Sequence, residues 1–227
     1  MTSSAPSSTL LAKSKLLAGL DNTALRHIQA AAQIRRIAAK QNVTIGGERP
    51  DHLFLLQAGR AKFYNLTESG SEVLLLWKVP GDIIGLVSLL ANPPAYMASA
   101  KTVSECQFLV WDHSTILRLA KAYPQLTENG LRLALHYLNV YMNRHVSIIT
   151  KTAELRLAEA LLHLATAAGE VQPSGVEIDI TNEQLSSLSD ISPFTASRLL
   201  SKWERDGKLS KQRGRVTLRA PESLMIA

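Results

Sequence analysis

The side chains best equipped for chemistry gather in TNEQLSSLSDISPFTASRLLSKWERDGKLSKQRGRVTLR, residues 181–219. From Ser192 to Arg219 the cations are Arg198, Lys202, Arg205, Lys208, Lys211, Arg213, Arg215 and Arg219, opposed only by Glu204 and Asp206. That local balance of +6 equals the formal charge of the whole chain, so the remainder sums to zero. A guanidinium is a planar fork of donors that matches the O6 and N7 acceptors of guanine, while an ammonium meets phosphate as a point charge. Cations concentrated in this way are the electrostatic footprint of a nucleic-acid binder.

Such groups need a rigid element to aim them, and the same stretch supplies two. Thr181 is a good N-cap, and Gln184 three places on completes a capping box, so a helix opens here with Leu185 and Leu188 inward. It runs out at Ser189-Asp190. Ser192 then caps a second helix with Pro193 at its first position, where a missing N–H costs nothing. Ile191, Ala196, Leu199, Leu200 and Trp203 give that helix a buried face, while Thr195, Ser197, Arg198 and Lys202 fall elsewhere. Two capped helices joined by a short turn predict a helix-turn-helix, whose second helix enters the DNA major groove.

Composition narrows the rest. A chain of 227 residues, 46% of them hydrophobic, can bury a core in one or two domains. Cys106 is the only cysteine, which excludes an intrachain disulfide, a four-cysteine zinc site and a cysteine-ligated cluster within one chain. Residues 2–8 read as a leader without the charged and apolar regions of a signal peptide. No apolar run reaches the ~18 residues of a spanning helix. A cytoplasmic protein with no membrane partner is expected, and a pI near 9.5 suits a polyanion. No Ser/His/Asp, Cys/His or paired-carboxylate arrangement has coherent spacing. Asp51-His52 is one acidic neighbour beside a histidine, so no catalytic residues are assigned and no enzyme is expected.

Along the chain, residues 16–32 predict a helix with Asp21 as cap. Short apolar runs at 43–45, 53–57, 62–66, 73–79 and 107–111, broken by glycine and proline, predict an all-β barrel or sandwich of about 80 residues. Helices are expected over 114–122, 126–151 and 153–168, then a short strand over 176–180. In the longest helix Leu131, Leu135, Leu138, Met142, His145 and Ile149 are spaced 4, 3, 4, 3, 4. That is a coiled-coil seam, and it predicts a homodimer paired along this helix. About 25 residues at ~1.5 Å rise span roughly 37 Å.

Four stretches carry a family resemblance: LFLLQAGRAKFY from Leu53, ESGSEVLLLWKVPGDIIG from Glu68, AELRLAEALLHLA from Ala153, and ITNEQLSSLSDISPFTASRLL from Ile180 followed by WERDGKLS. In this order the chain resembles the Crp/Fnr family of bacterial transcription regulators. The resemblance implies an α+β fold: an N-terminal β-roll sensor (a jelly-roll-like double-stranded β-helix), a long dimerisation helix and a C-terminal winged helix-turn-helix. The boundaries expected are a flexible leader at 1–15, the sensor at 16–124, the dimerisation helix at 125–151 and the DNA-binding domain at 152–227. Double-stranded DNA is the implied partner, with RNA polymerase a further candidate.

By the same resemblance the recognition helix covers 192–202 and the wing 210–218, turning at Gly214. The DNA contacts fall to Thr181, Ser192, Phe194, Thr195, Ser197, Arg198 and Lys202, with Lys211, Arg213 and Arg215 on the wing. Arg198 matches the family's base-reading arginine. Pro193 and Phe194 stand where many members carry polar or charged residues, and Phe194 can touch a thymine methyl but cannot hydrogen-bond a base. These two departures leave another reading open, an interaction module whose helix-turn-helix no longer reads DNA. Asp190 occupies a position where a turn glycine is frequent.

Members that bind cyclic nucleotides use an arginine and a glutamate in the segment that corresponds here to residues 86–100, LVSLLANPPAYMASA. No charged residue occurs in it, and Pro93 and Pro94 remove two donors. A phosphodiester without a cation or a nest of N–H groups is costly to bury, so cAMP is not the expected effector. The options are an apolar effector near Leu86, Leu89, Tyr96 and Met97, a haem, or no ligand. No cofactor is assigned and haem is left open; its candidate ligands are His27, His52, His113, His136, His145 and His163. No metal site is expected.

Overall fold

The computed structural model describes residues 14–68 and 70–224. The chain divides into two compact units, Met1–Asn139 and Val140–Ala227. Most of the leader expected at 1–15 therefore lies outside the described residues. Ser14 is already buried, and Lys15 opens a 3-10 turn, Lys15–Leu17, whose Leu16 and Leu17 are buried too.

The first unit begins with α1 (Asn22–Ala30), which is shorter than the helix expected from residue 16. Asp21 accounts for the difference, since its carboxylate accepts from the Thr23 and Ala24 amides and caps the helix there. Eight strands follow: β1 (Gln33–Ile37), β2 (Asn42–Thr44), β3 (His52–Ala58), β4 (Ala61–Leu66), β5 (Glu72–Lys78), β6 (Ile83–Ile84), β7 (Ser99–Thr102) and β8 (Cys106–Asp112). They make two antiparallel four-stranded sheets, ordered β1-β8-β3-β6 and β2-β7-β4-β5. Gly59, between β3 and β4, has φ +89°, and a Cβ there would meet the Glu105 carbonyl oxygen at 2.2 Å. Only glycine makes that turn.

Strand β3 is covered on both faces, as its continuous apolar run demands. Leu53 and Leu55 point to one cluster with Leu109, Trp111 and the helical residues Ile28, Ile116, Leu119 and Leu126. Phe54 and Leu56 point to the other, with Phe108 and Val110 of the neighbouring strand β8 and with Ala61 and Ala100 of the facing sheet. Indole Nε1 of Trp111 donates to the Ile28 carbonyl at 2.8 Å, so burying that ring leaves no donor unpaired.

Asp112 caps α2 (His113–Ala122). The long helix α3 (Gln125–Thr150) follows, then α4 (Ala153–Ala168), capped by Thr152. The second unit adds β9 (Glu170–Gln172), β10 (Gly175–Asp179), α5 (Asn182–Ser189), α6 (Pro193–Arg205), β11 (Leu209–Gln212) and β12 (Arg215–Leu218). Its sheet is ordered β11-β12-β10-β9, with β11 and β12 turning back on each other at Gly214, φ +75°. This is a helix-turn-helix followed by a β-hairpin wing.

Candidate nucleic-acid interface

Both caps expected from the sequence form. Thr181 Oγ1 accepts from the Gln184 amide at 3.2 Å, and Gln184 Oε1 accepts from the Thr181 amide at 3.0 Å. Helix α5 ends at Asp190, which adopts the left-handed conformation (φ 52°, ψ 53°) that a glycine usually supplies. Ser192 Oγ then accepts from the Thr195 amide at 3.0 Å and starts α6. On α6 the buried side chains are Ala196, Leu199, Leu200 and Trp203. Phe194, Arg198, Lys202 and Arg205 form the exposed opposite stripe, and Phe194 is 78% exposed.

The turn between α5 and α6 is held from behind by an arginine. Arg156 donates from Nε to the Ser189 carbonyl at 2.9 Å and from Nη2 to the Asp190 carbonyl at 2.9 Å. Its Nη1 reaches the Lys151 and Ile148 carbonyls at 2.9 and 3.3 Å. One guanidinium thus satisfies the last carbonyls of α3 and those of the turn together, a task no lysine geometry could copy. Arg156 was visible in the sequence only as part of a family-like stretch.

The cations expected to contact DNA separate into two groups. Arg198, on α6, and Arg213, on the wing, are exposed and have no hydrogen bond or ion pair among the described residues. Lys202 Nζ lies 2.9 Å from Glu154 Oε1, and this contact holds the Glu154 carboxyl below its usual range. Lys211 donates to Ser201 Oγ at 2.6 Å. Arg215 is forked between Asp179 (3.0 Å) and Glu177 (3.2 Å). Ser192 and Thr195 bond each other through their hydroxyls at 2.9 Å, and Ser197 is half-buried. The acids that engage Lys202 and Arg215 lie far away in sequence, and spacing offered no sign of them.

On α3 every residue of the expected seam is exposed: Leu131, Leu135, Leu138, Met142, His145 and Ile149. The leucines are 55–61% exposed, Met142 59% and Ile149 71%. Val146, which the heptad reading left out, is also 56% exposed and extends the apolar stripe.

The residues expected around an effector differ in their surroundings. Leu86 and Leu89 pack into the first core cluster, and a Cβ on Gly130 of α3 would meet Leu89 at 2.6 Å. Tyr96 is buried, with its hydroxyl donating to the His52 carbonyl at 2.9 Å. Met97 is 79% exposed, because side chains alternate as the chain approaches β7 and Tyr96 and Ala98 take the inward places.

A buried cation was missed. Lys78 ends β5 at 3% exposure, donates to Tyr137 Oη at 2.7 Å and lies 4.2 Å from that ring's centre. Burial pushes its ammonium down to about 8, with Asp82 opposing. Alternation from Leu74 and Leu76 was the signal that could have placed it inward.

None of the six histidines is buried. His27 Nδ1 is 2.7 Å from Tyr123 Oη, and His113 Nε2 is 2.9 Å from the Leu90 carbonyl. One ring nitrogen of His27 and one of His113 are thus engaged within the protein. Cys106 is buried, and burial raises its thiol pKa, the opposite of what a redox-reactive thiolate requires. Among the described residues no group of His, Cys, Asp and Glu could hold a metal, and no helix is long and apolar enough to cross a membrane.

Two family models match. Residues 34–123 match the cyclic nucleotide-binding domain, and residues 155–226 match the Crp-like helix-turn-helix domain. The chain is 24% identical over 200 residues to the CRP-like cAMP-activated global transcriptional regulator of Mycobacterium tuberculosis, covering 87% of this chain and 89% of that one. It is 22% identical over 188 residues to the fumarate and nitrate reduction regulatory protein of Vibrio cholerae, covering 82% and 74%. In fold it is similar to the c-di-GMP responsive global regulator CLP of Xanthomonas campestris, with a TM-score of 0.75 and 17% identity over 88% of this chain and all of that one.

Proposed function

Because this chain belongs to the Crp/Fnr family of transcription regulators, we propose that it works in the cytoplasm as a homodimer. Two copies pair along the apolar stripe of α3, and each inserts α6 into the major groove of one half of a palindromic operator. One observation carries this reading: the capped, buried-backed helix α6 turns Arg198 outward with no partner among the described residues. An arginine held that way is set to meet a base edge. Arg213 lies on the wing, where it meets phosphate, and Lys202 reaches phosphate by exchanging Glu154 for it.

The sensor is not operated by cAMP. Residues 86–100 carry no charge, and the prolines at 93 and 94 contribute no N–H. Any effector must favour one arrangement of the dimer over the other, and α3 is the element that carries such a difference.

Selection of duplexes from a randomised pool by the purified full-length protein tests the reading. Enrichment of a two-fold palindrome, with affinity falling steeply as salt rises, is expected. Binding that is salt-sensitive but blind to sequence would instead support the interaction-module reading.

A further inference from the structure

We infer that α6 reads a thymine methyl through Phe194, beside the guanine read by Arg198, so that each half-site carries a thymine within about two base pairs of that guanine. The inference rests on the DNA-reading role of α6 and adds a specificity determinant to it. A phenylalanine at 78% exposure leaves a large apolar surface in water. Here it is placed by design of the backbone: Ser192 caps the helix, Pro193 occupies the first position, and Phe194 follows on the outward stripe. Residues in the first turns of such a helix are the ones that reach base edges.

Phe194 and Arg198 are four residues apart, hence neighbours on one face. Four residues rise ~6 Å, and base pairs stack every ~3.4 Å, which limits the separation of the two contacted bases to about two steps. The ring has no hydrogen-bonding group, so it cannot report donors or acceptors. The apolar feature of the major-groove floor is the C5 methyl of thymine, and apolar contact with it is an established mode of readout. Arg198 beside it supplies the polar half of a two-base code and keeps the partner of this face a nucleic acid.

The test uses operator duplexes recovered by selection, with each thymine replaced in turn by deoxyuridine. That change removes one methyl and preserves the Watson–Crick edge. For the native protein one replacement near the Arg198-dependent guanine should lower affinity about fourfold, the ratio one buried methyl is worth. Other replacements should change little. Phe194→Ala should bind the thymine and deoxyuridine duplexes alike, while Phe194→Leu keeps part of the difference. Position 194 is exposed, and a thermal melt checks that each variant folds.

If the native protein ignores every deoxyuridine replacement while still requiring Arg198, the assignment of Phe194 is overturned and the DNA-reading role stands. The same holds if Phe194→Ala keeps the full fourfold difference. If no sequence is selected at all, both fall together.

Discussion

The β-roll with its long helix and the helix-turn-helix with its wing dispose of apolar and charged groups in opposite ways. The first leaves six large apolar side chains of α3 in water and buries a lysine, Lys78. The second buries Ala196, Leu199, Leu200 and Trp203 of α6 and turns Arg198, Lys202 and Arg205 outward, with Phe194 the one apolar side chain on that outer stripe. Exposed apolar surface is stabilised by contact with another apolar surface, and a second copy of the same stripe is the self-complementary solution. Exposed charge is comfortable in water and costs little until an anion replaces that water. In the function proposed above, the apolar stripe serves assembly and the cationic face serves recognition.

The sharpest way to break this contrast is to put charge on the apolar stripe. Leu138→Lys should sediment as a monomer and lose about 10²–10⁴-fold in affinity for a palindrome, since two linked half-sites then become two separate ones. A dimer that persists would place the interface elsewhere.

Next in size is the buried lysine. Its pKa falls from 10.5 to about 8 on folding, so the unfolded chain binds more protons between those values and stability rises with pH across that window. Below about pH 8 the full cost is present, about 3 kcal/mol from the shift. Lys78→Met should therefore be more stable than the native protein by about that much in urea unfolding at pH 7. The advantage should shrink as pH climbs from 8 and vanish near 10.5. A variant that is less stable at pH 7 would mean the Tyr137 contact outweighs desolvation.

The smallest effect concerns the exposed arginine. Arg198→Ala should weaken binding to the selected operator by about 1–3 kcal/mol and relax preference at one base pair. Its unfolding free energy should stay within about 0.5 kcal/mol, because an exposed side chain without partners contributes little to the fold. Unchanged selectivity in a competition assay would remove Arg198 from the base-reading face.

Much of this was legible before any coordinates. The Thr181–Gln184 box and the Ser192-Pro193 start depend on neighbours in the chain, and both form where the residues place them. The run at 53–57 became β3 because its four consecutive apolar residues, Leu53 to Leu56, can be satisfied only with cover on both faces. Strand β1, QIRRI, escaped notice: its polar, mostly exposed residues carry no strong pattern, and pairing with β8 makes it a strand. The short strands β6 and β7 escaped for the same reason, since ladder partners far away in sequence define them.

What the sequence by itself determined is everything local: caps, helix periods, the left-handed turn at Asp190 and the concentration of cations between 192 and 219. Tertiary structure alone decided which of those cations are free. Lys202 and Arg215 are engaged by Glu154, Glu177 and Asp179, whereas Arg198 and Arg213 have no partner among the described residues. It also decided that Lys78 is buried against Tyr137 and that Arg156 joins the end of α3 to the reading turn. The physical reason is range: hydrogen bonds of a cap close within a few residues, while a charge finds its partner wherever packing brings an acid within a few ångströms.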